Sequence, residues 1–286
     1  MKKIAINVRP SVWRPDHKVE KYINRVSSKV RGKEVAQYIG AKFNVKTRKQ
    51  DEIIVWIKPK FLTIVKDGDY VDVLDDLEII PLLKQRPQVK VIAMTKLQYE
   101  HFKKKLSNAI TLIPHHHLNF ERDRRVRNKS SLFLRNKILV GGMIGSASPS
   151  QVALDLADKV RRGLAKVGIE FTTCFNPRTR EEVIDYYKSI DFLVIFNPSS
   201  DTRSVLCDHP TKMINAASFG IPTLAQPRLG YGEFAGFYIP IETVDDIVRE
   251  ATKLKNADYY NQWAGKLLPE AEKYHISNTS KLYLNL

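Results

Sequence analysis

The sequence predicts an α/β protein made of two doubly wound parallel-sheet domains, and three observations carry that prediction. Residues 138–254 alternate apolar strand-like runs with amphipathic helix-like runs in the order β-α-β-α-β-α-β, the arrangement that builds a parallel sheet covered on both faces. Residues 1–113 show a looser version of the same alternation. The chain's 286 residues also exceed the usual single-domain size, so two cores of roughly 140 residues each are expected.

In the first half, 4–8, 52–58 and 89–94 read as strands, and a further strand precedes Asp72. Residues 16–39 hold a helix, 96–106 form a helix whose last turn is Lys103-Lys104-Lys105, and 109–113 form a short strand. In the second half, 137–144 is an apolar strand running into a turn at Gly141-Gly142. A helix over 149–167 follows, with Val152, Leu156, Val160 and Leu164 at four-residue spacing, and Gly168 ends it. Next come a strand at 169–175, a helix at 180–189 and a fully apolar strand at 191–196 of the kind parallel sheets bury. After a polar loop, a helix capped by Asp208 or His209, with Pro210 in its first turn, runs to Phe219 and stops at Gly220. A strand at 221–225, a glycine-bearing loop at 230–233, a short strand at 237–240 and a helix at 244–254 complete this half.

Composition narrows the class. With 43% hydrophobic and 27% charged residues the chain is neither disordered, collagenous nor a coiled coil, and no run approaches the ~18 to 20 uncharged residues of a membrane span. Two cysteines, Cys174 and Cys207, exclude a disulfide scaffold and a cysteine-built zinc site and suit a reducing compartment, so a cytosolic protein, or one peripheral to a membrane, is expected. Charge is uneven. Residues 1–83 carry 17 Lys/Arg against 11 Asp/Glu, 84–137 carry 14 against 3, and 138–286 carry 16 against 17. The whole +16 therefore sits in the first half, which suggests that one domain meets a polyanion.

The most informative segment precedes the Pro210 helix. Free N–H groups at a helix start attract phosphate, and Arg203, Ser204, His209, Thr211 and Lys212 flank this one. Gly141 and Gly142 are a second place where backbone could approach a diphosphate. Neither GxGxxG nor GxxxxGK[ST] occurs, which argues against a dinucleotide-binding or P-loop enzyme. His115-His116-His117 invites a metal reading, but adjacent residues of an extended segment point to alternate faces, and no metal is expected.

The run Asp208-His209-Pro210-Thr211-Lys212-Met213-Ile214-Asn215-Ala216-Ala217-Ser218-Phe219-Gly220-Ile221-Pro222, followed by Gly230-Tyr231-Gly232-Glu233 and Tyr238-Ile239-Pro240-Ile241, resembles the donor-binding region of nucleotide-sugar glycosyltransferases of the GT-B fold. Ile113-Pro114-His115 resembles the turn by which such enzymes leave their first domain, and 257–286, with Tyr259, Trp263, Leu267 and Tyr274, resembles their closing helices. The resemblance implies two Rossmann-like domains facing across a cleft. A basic acceptor-side domain would span 1–130, a donor domain 131–256, and helices at 257–286 would cross back to the first domain, with the boundary inside 121–137.

It further implies transfer of a sugar from a nucleoside-diphosphate sugar, the co-substrate, with no cofactor. Thr211 and Lys212 would lie by the diphosphate, Asn215 where the family has a ribose-binding Glu, and Gly230 to Glu233 beside the sugar or phosphate. The family's cation pair is absent after the first strand of this domain, and Arg178 or Arg203 would replace it. Asp16, His17 and Asp75, near Asp72 and Asp76, are candidates for the base that takes the acceptor proton. Lys103, Lys104, Lys105, Arg122, Arg124, Arg125 and Arg127 form a basic patch for a polyanionic acceptor: DNA, whose bases such an enzyme would modify, an anionic lipid surface or an acidic polysaccharide. The rival readings are a GT-B-like protein without transfer activity that binds nucleic acid or serves in an assembly, and a nucleotide-sugar epimerase.

Overall fold

Strands buried on both faces need continuous apolar runs, and such runs form two all-parallel sheets. The computed structural model describes residues 3–8, 28–45, 47–59, 62–123, 138–145, 149–175, 177, 179–196 and 205–286. Asp16, His17, Arg124, Arg125, Arg127, Arg178, Arg203 and Ser204 lie outside them. The chain divides into two compact units: Met1–His116 with Arg203–His209 and Ile276–Leu286, and His117–Thr202 with Pro210–His275. The change of unit thus falls at 116–117 rather than inside 121–137.

Unit 1 contains strands β1 (Lys3–Val8), β2 (Lys42–Phe43), β3 (Glu52–Ile57), β4 (Tyr70–Asp72), β5 (Lys90–Ala93) and β6 (Ile110–Leu112), in the sheet order β2-β1-β3-β4-β5-β6. The register is continuous from Lys3 opposite Glu52 to Val8 opposite Ile57. Within the helix expected at 16–39, the described part starts as a π-helical segment, Ser28–Glu34, and continues as α1, Val35–Ile39. Gly40 ends it with φ at 66°, a left-handed cap that glycine adopts without penalty. Helix α2 (Ile80–Lys84) follows a short 3-10 turn, and α3 (Lys96–Lys105) starts at Thr95, whose hydroxyl accepts from Gln98 N–H.

Unit 2 contains β7 (Val140–Ile144), α4 (Gln151–Ala165), β8 (Glu170–Cys174), α5 (Arg180–Ser189), β9 (Phe192–Ile195), α6 (Thr211–Ser218), β10 (Thr223–Ala225), β11 (Ile239–Pro240), α7 (Val244–Lys253) and α8 (Ala257–Glu272). The sheet order is β11-β10-β9-β7-β8. Leu156, Val160 and Leu164 of α4 are buried as their spacing predicts, whereas Val152, one turn earlier, is 63% exposed. Helix α8 was expected among helices crossing to the first domain. It lies instead in unit 2, where Tyr260 joins the core of Phe171, Phe192 and Leu224, and Leu267 that of Met213 and Phe234. Only the following segment, with α9 (Ile276–Leu284), belongs to unit 1. Among the described residues no helix is long and apolar enough to cross a membrane.

Candidate functional site

In a doubly wound sheet, ligands bind beyond the carboxyl ends of the strands where the strand order reverses, and in unit 2 that point lies between β7 and β9. The Gly141-Gly142 pair does not form the turn there. Both residues sit inside β7, paired with Phe171 and Thr172 on one side and Phe192 and Leu193 on the other, so their backbone groups serve the sheet. The strand continues to Ile144, and the glycine at its carboxyl end is Gly145, where a Cβ would stand 2.4 Å from the Phe175 ring.

Helix α6 starts beside this point. Side chains cap α3, α4, α5, α7 and α8 (Thr95, Ser150, Thr179, Thr243 and Asn256), but the N-cap of α6 is Pro210, whose own side chain makes no capping hydrogen bond. The N-cap position thus falls on Pro210 rather than on Asp208 or His209; His209 belongs to unit 1, its ring stacked on His115 with centroids 6.2 Å apart. Lys212, the second residue of α6, donates from Nζ to the Ile144 carbonyl at 2.9 Å, which puts an exposed ammonium at the carboxyl end of β7. The dipole of α6 adds positive potential from the same direction.

The body of α6 is buried from Met213 to Ser218. Asn215 Oδ1 accepts from Leu118 N–H at 2.9 Å, and Tyr187 of α5 brings its hydroxyl to the same helix. That hydroxyl donates to the Lys212 carbonyl at 3.3 Å, while the Tyr187 ring stacks on Phe219 at the far end of α6. Asn215, predicted beside a ribose, is thus engaged within unit 2. Residues 230–233, expected as a loop, lie in a 3-10 helix, Leu229–Phe234, with Gly230, Tyr231 and Phe234 buried. Glu233 lies by Tyr274, whose phenol is raised above its usual range by burial, with the carboxylates of Glu233 and Glu270 adding to the effect.

Arg122, predicted in the basic patch, is paired within unit 2: its guanidinium meets the Glu272 carboxylate at 2.6 Å and 3.0 Å and donates to His275 Nδ1 at 3.1 Å. In unit 1, Asp75 is ion-paired with Lys58, and Lys103, Lys104 and Lys105 are exposed, Lys103 lying over the Tyr99 ring at 5.1 Å. The histidines diverge: His116 meets Glu34 at 3.4 Å in unit 1, whereas His117 packs on His275 in unit 2. Among the described residues no three His, Cys, Asp or Glu side chains gather at metal-ligating spacing.

Sequence reasoning missed Tyr187 and the Arg31–Asp72 pair. Arg31 is fully buried in unit 1, donates to Asp72 at 2.6 Å and 2.8 Å, and reaches the Ile113 and Pro114 carbonyls. Burial opposes its charge, but Asp72 and Tyr283 outweigh burial and hold its pKa above the ordinary value. A tyrosine within an amphipathic helix, or an arginine beside a glycine, carries no sequence signal for such a role.

No protein-family model and no curated protein matches the chain by sequence. Solved structures do match it. The chain is similar to Anabaena HepE, solved in complex with UDP and glucose, at TM-score 0.60 and 9% identity, covering 100% of this chain and 99% of that one. It is similar to an α,α-trehalose-phosphate synthase (UDP-forming) from Burkholderia vietnamiensis at TM-score 0.58 and 9% identity, covering 100% and 96%. The fold is GT-B. TarM shares this GT-B fold at TM-score 0.51 and 14% identity over 82% of this chain, which spans 54% of TarM's length.

Proposed function

We propose that the chain is a glycosyltransferase that moves a sugar from a nucleoside-diphosphate sugar to an anionic acceptor without a metal ion. The observation that carries this reading is Lys212, in the first turn of α6 and donating to the Ile144 carbonyl at the carboxyl end of β7, in a fold shared with a protein solved in complex with UDP and glucose. Transfer breaks the bond between the anomeric carbon and the diphosphate oxygen and joins that carbon to an acceptor oxygen, whose proton goes to a base. Charge develops on the leaving diphosphate. Preorganised donors aimed at developing charge are the largest single source of catalysis in many enzymes, and the Lys212 ammonium with the first N–H groups of α6 supplies them here. Thr211, His209, Gly230 and Glu233 complete the proposed donor set, with Arg178, Arg203 and Ser204 outside the described residues. Asp75 is the proposed base among the described residues, and the exposed lysines 103–105 favour an anionic acceptor.

The test is nucleotide binding followed by turnover. UDP, GDP and ADP are screened by thermal shift; a ligand at a hundred times its Kd stabilises by about 2.7 kcal/mol. The matching nucleotide sugars are then assayed for released nucleoside diphosphate in EDTA, with duplex DNA, anionic vesicles and acidic polysaccharide as acceptors. We expect one nucleotide to bind, Lys212→Ala to weaken it about tenfold or more, and turnover to persist in EDTA; no binding by any nucleotide overturns the assignment. A second reading, a GT-B protein that binds nucleic acid or assembles without transfer, is favoured by Asn215, which carries no carboxylate and is bonded to Leu118. Binding to duplex DNA without release of nucleoside diphosphate from any donor would select it.

A further inference from the structure

Gln98 lies in the first turn of α3 and is fully buried in unit 1. Its side chain makes three hydrogen bonds. Oε1 accepts from Met94 N–H at 2.9 Å, and Nε2 donates to the Leu74 carbonyl at 2.6 Å and the Leu206 carbonyl at 2.7 Å. A carbonyl can only accept and an N–H can only donate, so the partners force the orientation of the amide. Accepting an N–H at a helix start does not require an amide, because a glutamate at the same position does it as well. The two donated bonds do require one: both amide hydrogens are used, and a carboxylate has none to give.

The two carbonyls belong to stretches far apart in the chain, both of them in unit 1. Leu74 precedes Asp75, the proposed base. Its φ is 51°, a left-handed conformation that residues other than glycine seldom adopt and that persists only where the surroundings hold it. Leu206 lies between β9 and α6, in the stretch that joins unit 1, and its neighbour Cys207 donates from Sγ to the Asp75 carbonyl at 3.5 Å. We infer that Gln98 is a positioning residue: its amide clamps the segment around Leu206 to the loop that carries Asp75, and so fixes the backbone on which the base sits. Lys212 does not depend on this clamp, since its ammonium is held by the Ile144 carbonyl within unit 2. The inference rests on the reading of Asp75 as the base only for its turnover arm.

The chain's two cysteines report on the clamp, because Cys207 sits beside Leu206 while Cys174, at the end of β8 in unit 2, is an internal reference; both are free thiols and half-buried. The experiment compares Gln98→Glu, Gln98→Met and the unaltered protein in two arms. Without ligand, N-ethylmaleimide labelling of the two thiols is followed by mass spectrometry. We expect Cys207 to label severalfold faster in both variants while the Cys174 rate stays the same. An unchanged Cys207 rate, or a rise of both rates together, overturns the inference whether or not nucleotides bind. Gln98→Met fills the same space without a buried charge and serves if Gln98→Glu folds poorly. In the turnover arm, the nucleotide that binds is titrated, and release of nucleoside diphosphate from its sugar is measured. Loss of one hydrogen bond corresponds to a change of up to about tenfold in rate. We expect kcat to fall by that order with the nucleotide Kd unchanged; an unchanged kcat, or a Kd that weakens by the same factor, overturns the positioning of the base. If the unaltered protein binds no nucleotide, the proposed function fails, and the labelling arm still decides whether Gln98 holds the Leu206 segment.

Discussion

Gly141 and Gly142 are held by what surrounds them. A Cβ on Gly141 would stand 2.5 Å from Phe192 Cζ, and one on Gly142 2.6 Å from the Tyr186 hydroxyl and 2.7 Å from Ile190 Cγ2. Tyr186 is fixed there, its one hydroxyl hydrogen shared between the Met143 and Thr172 carbonyls at 3.1 Å and 3.0 Å. Overpacking of this kind typically costs about 1–3 kcal/mol. Gly141→Ala should therefore lower the urea midpoint of unfolding by that order while UDP affinity per folded molecule stays unchanged; lost affinity at unchanged stability would restore a ligand-contact role. The glycine pair was legible as a place of close approach, but sequence could not say whether a ring or a ligand approaches. Lys212 was legible too, because a cation in the first turn of a helix is a local fact. The engagement of Asn215 was not, since it depends on Leu118, far away in the chain.

Helix α9 is an element whose place depends on a few side chains. Its Tyr283, 1% exposed, packs with Ile6, Val35 and Ile92 of unit 1, and its hydroxyl lies 3.4 Å from Asp72 Oδ2. Arg31 lies over the same ring at 5.6 Å. Tyr283→Phe keeps the ring and the ion pair and loses one hydrogen bond, so about 1 kcal/mol of stability should go. Asp72→Ala leaves the Arg31 guanidinium buried without its carboxylate, and breaking a buried pair on one side costs about 3–5 kcal/mol. Guanidinium denaturation of both variants should return that order; equal losses would mean that Asp72 does not hold Arg31. At this scale the strong elements were readable: the bounds of α5 match those expected at 180–189, and α4 and α7 were found within two residues. The two-residue strand β2 offers too few residues for a period, and α2 is a five-residue helix with Pro81 in its first turn. The aromatic residues of α8 announced a buried face without saying which core it meets, and so α8 was expected in the wrong unit.

The whole molecule should lose stability to acid in two separate windows. His115 is buried in unit 1, and burial first, then Arg31, His116 and His209, hold its pKa well below the ordinary value. The unfolded chain takes up a proton there near pH ~6.5 and the folded chain does not, so this contribution is intact above that pH and fades as pH falls below it. The carboxylates act lower. Backbone hydrogen bonds at the start of α7, from Glu242 first, hold Asp246 at about 2, and the Arg122 guanidinium holds Glu272 below the usual range. Glu52 is likewise held down, since Lys42 and Lys49 outweigh its burial. Stability from these groups is complete above about pH 4 and lost only as pH falls further. Urea midpoints measured from pH 8 to 3 should therefore show a first decline beginning near pH 6.5 and a second below about 4. His115→Phe keeps a ring in the same space, so it should flatten the first decline and leave the second in place; persistence of the first decline in that variant would move its origin to another group.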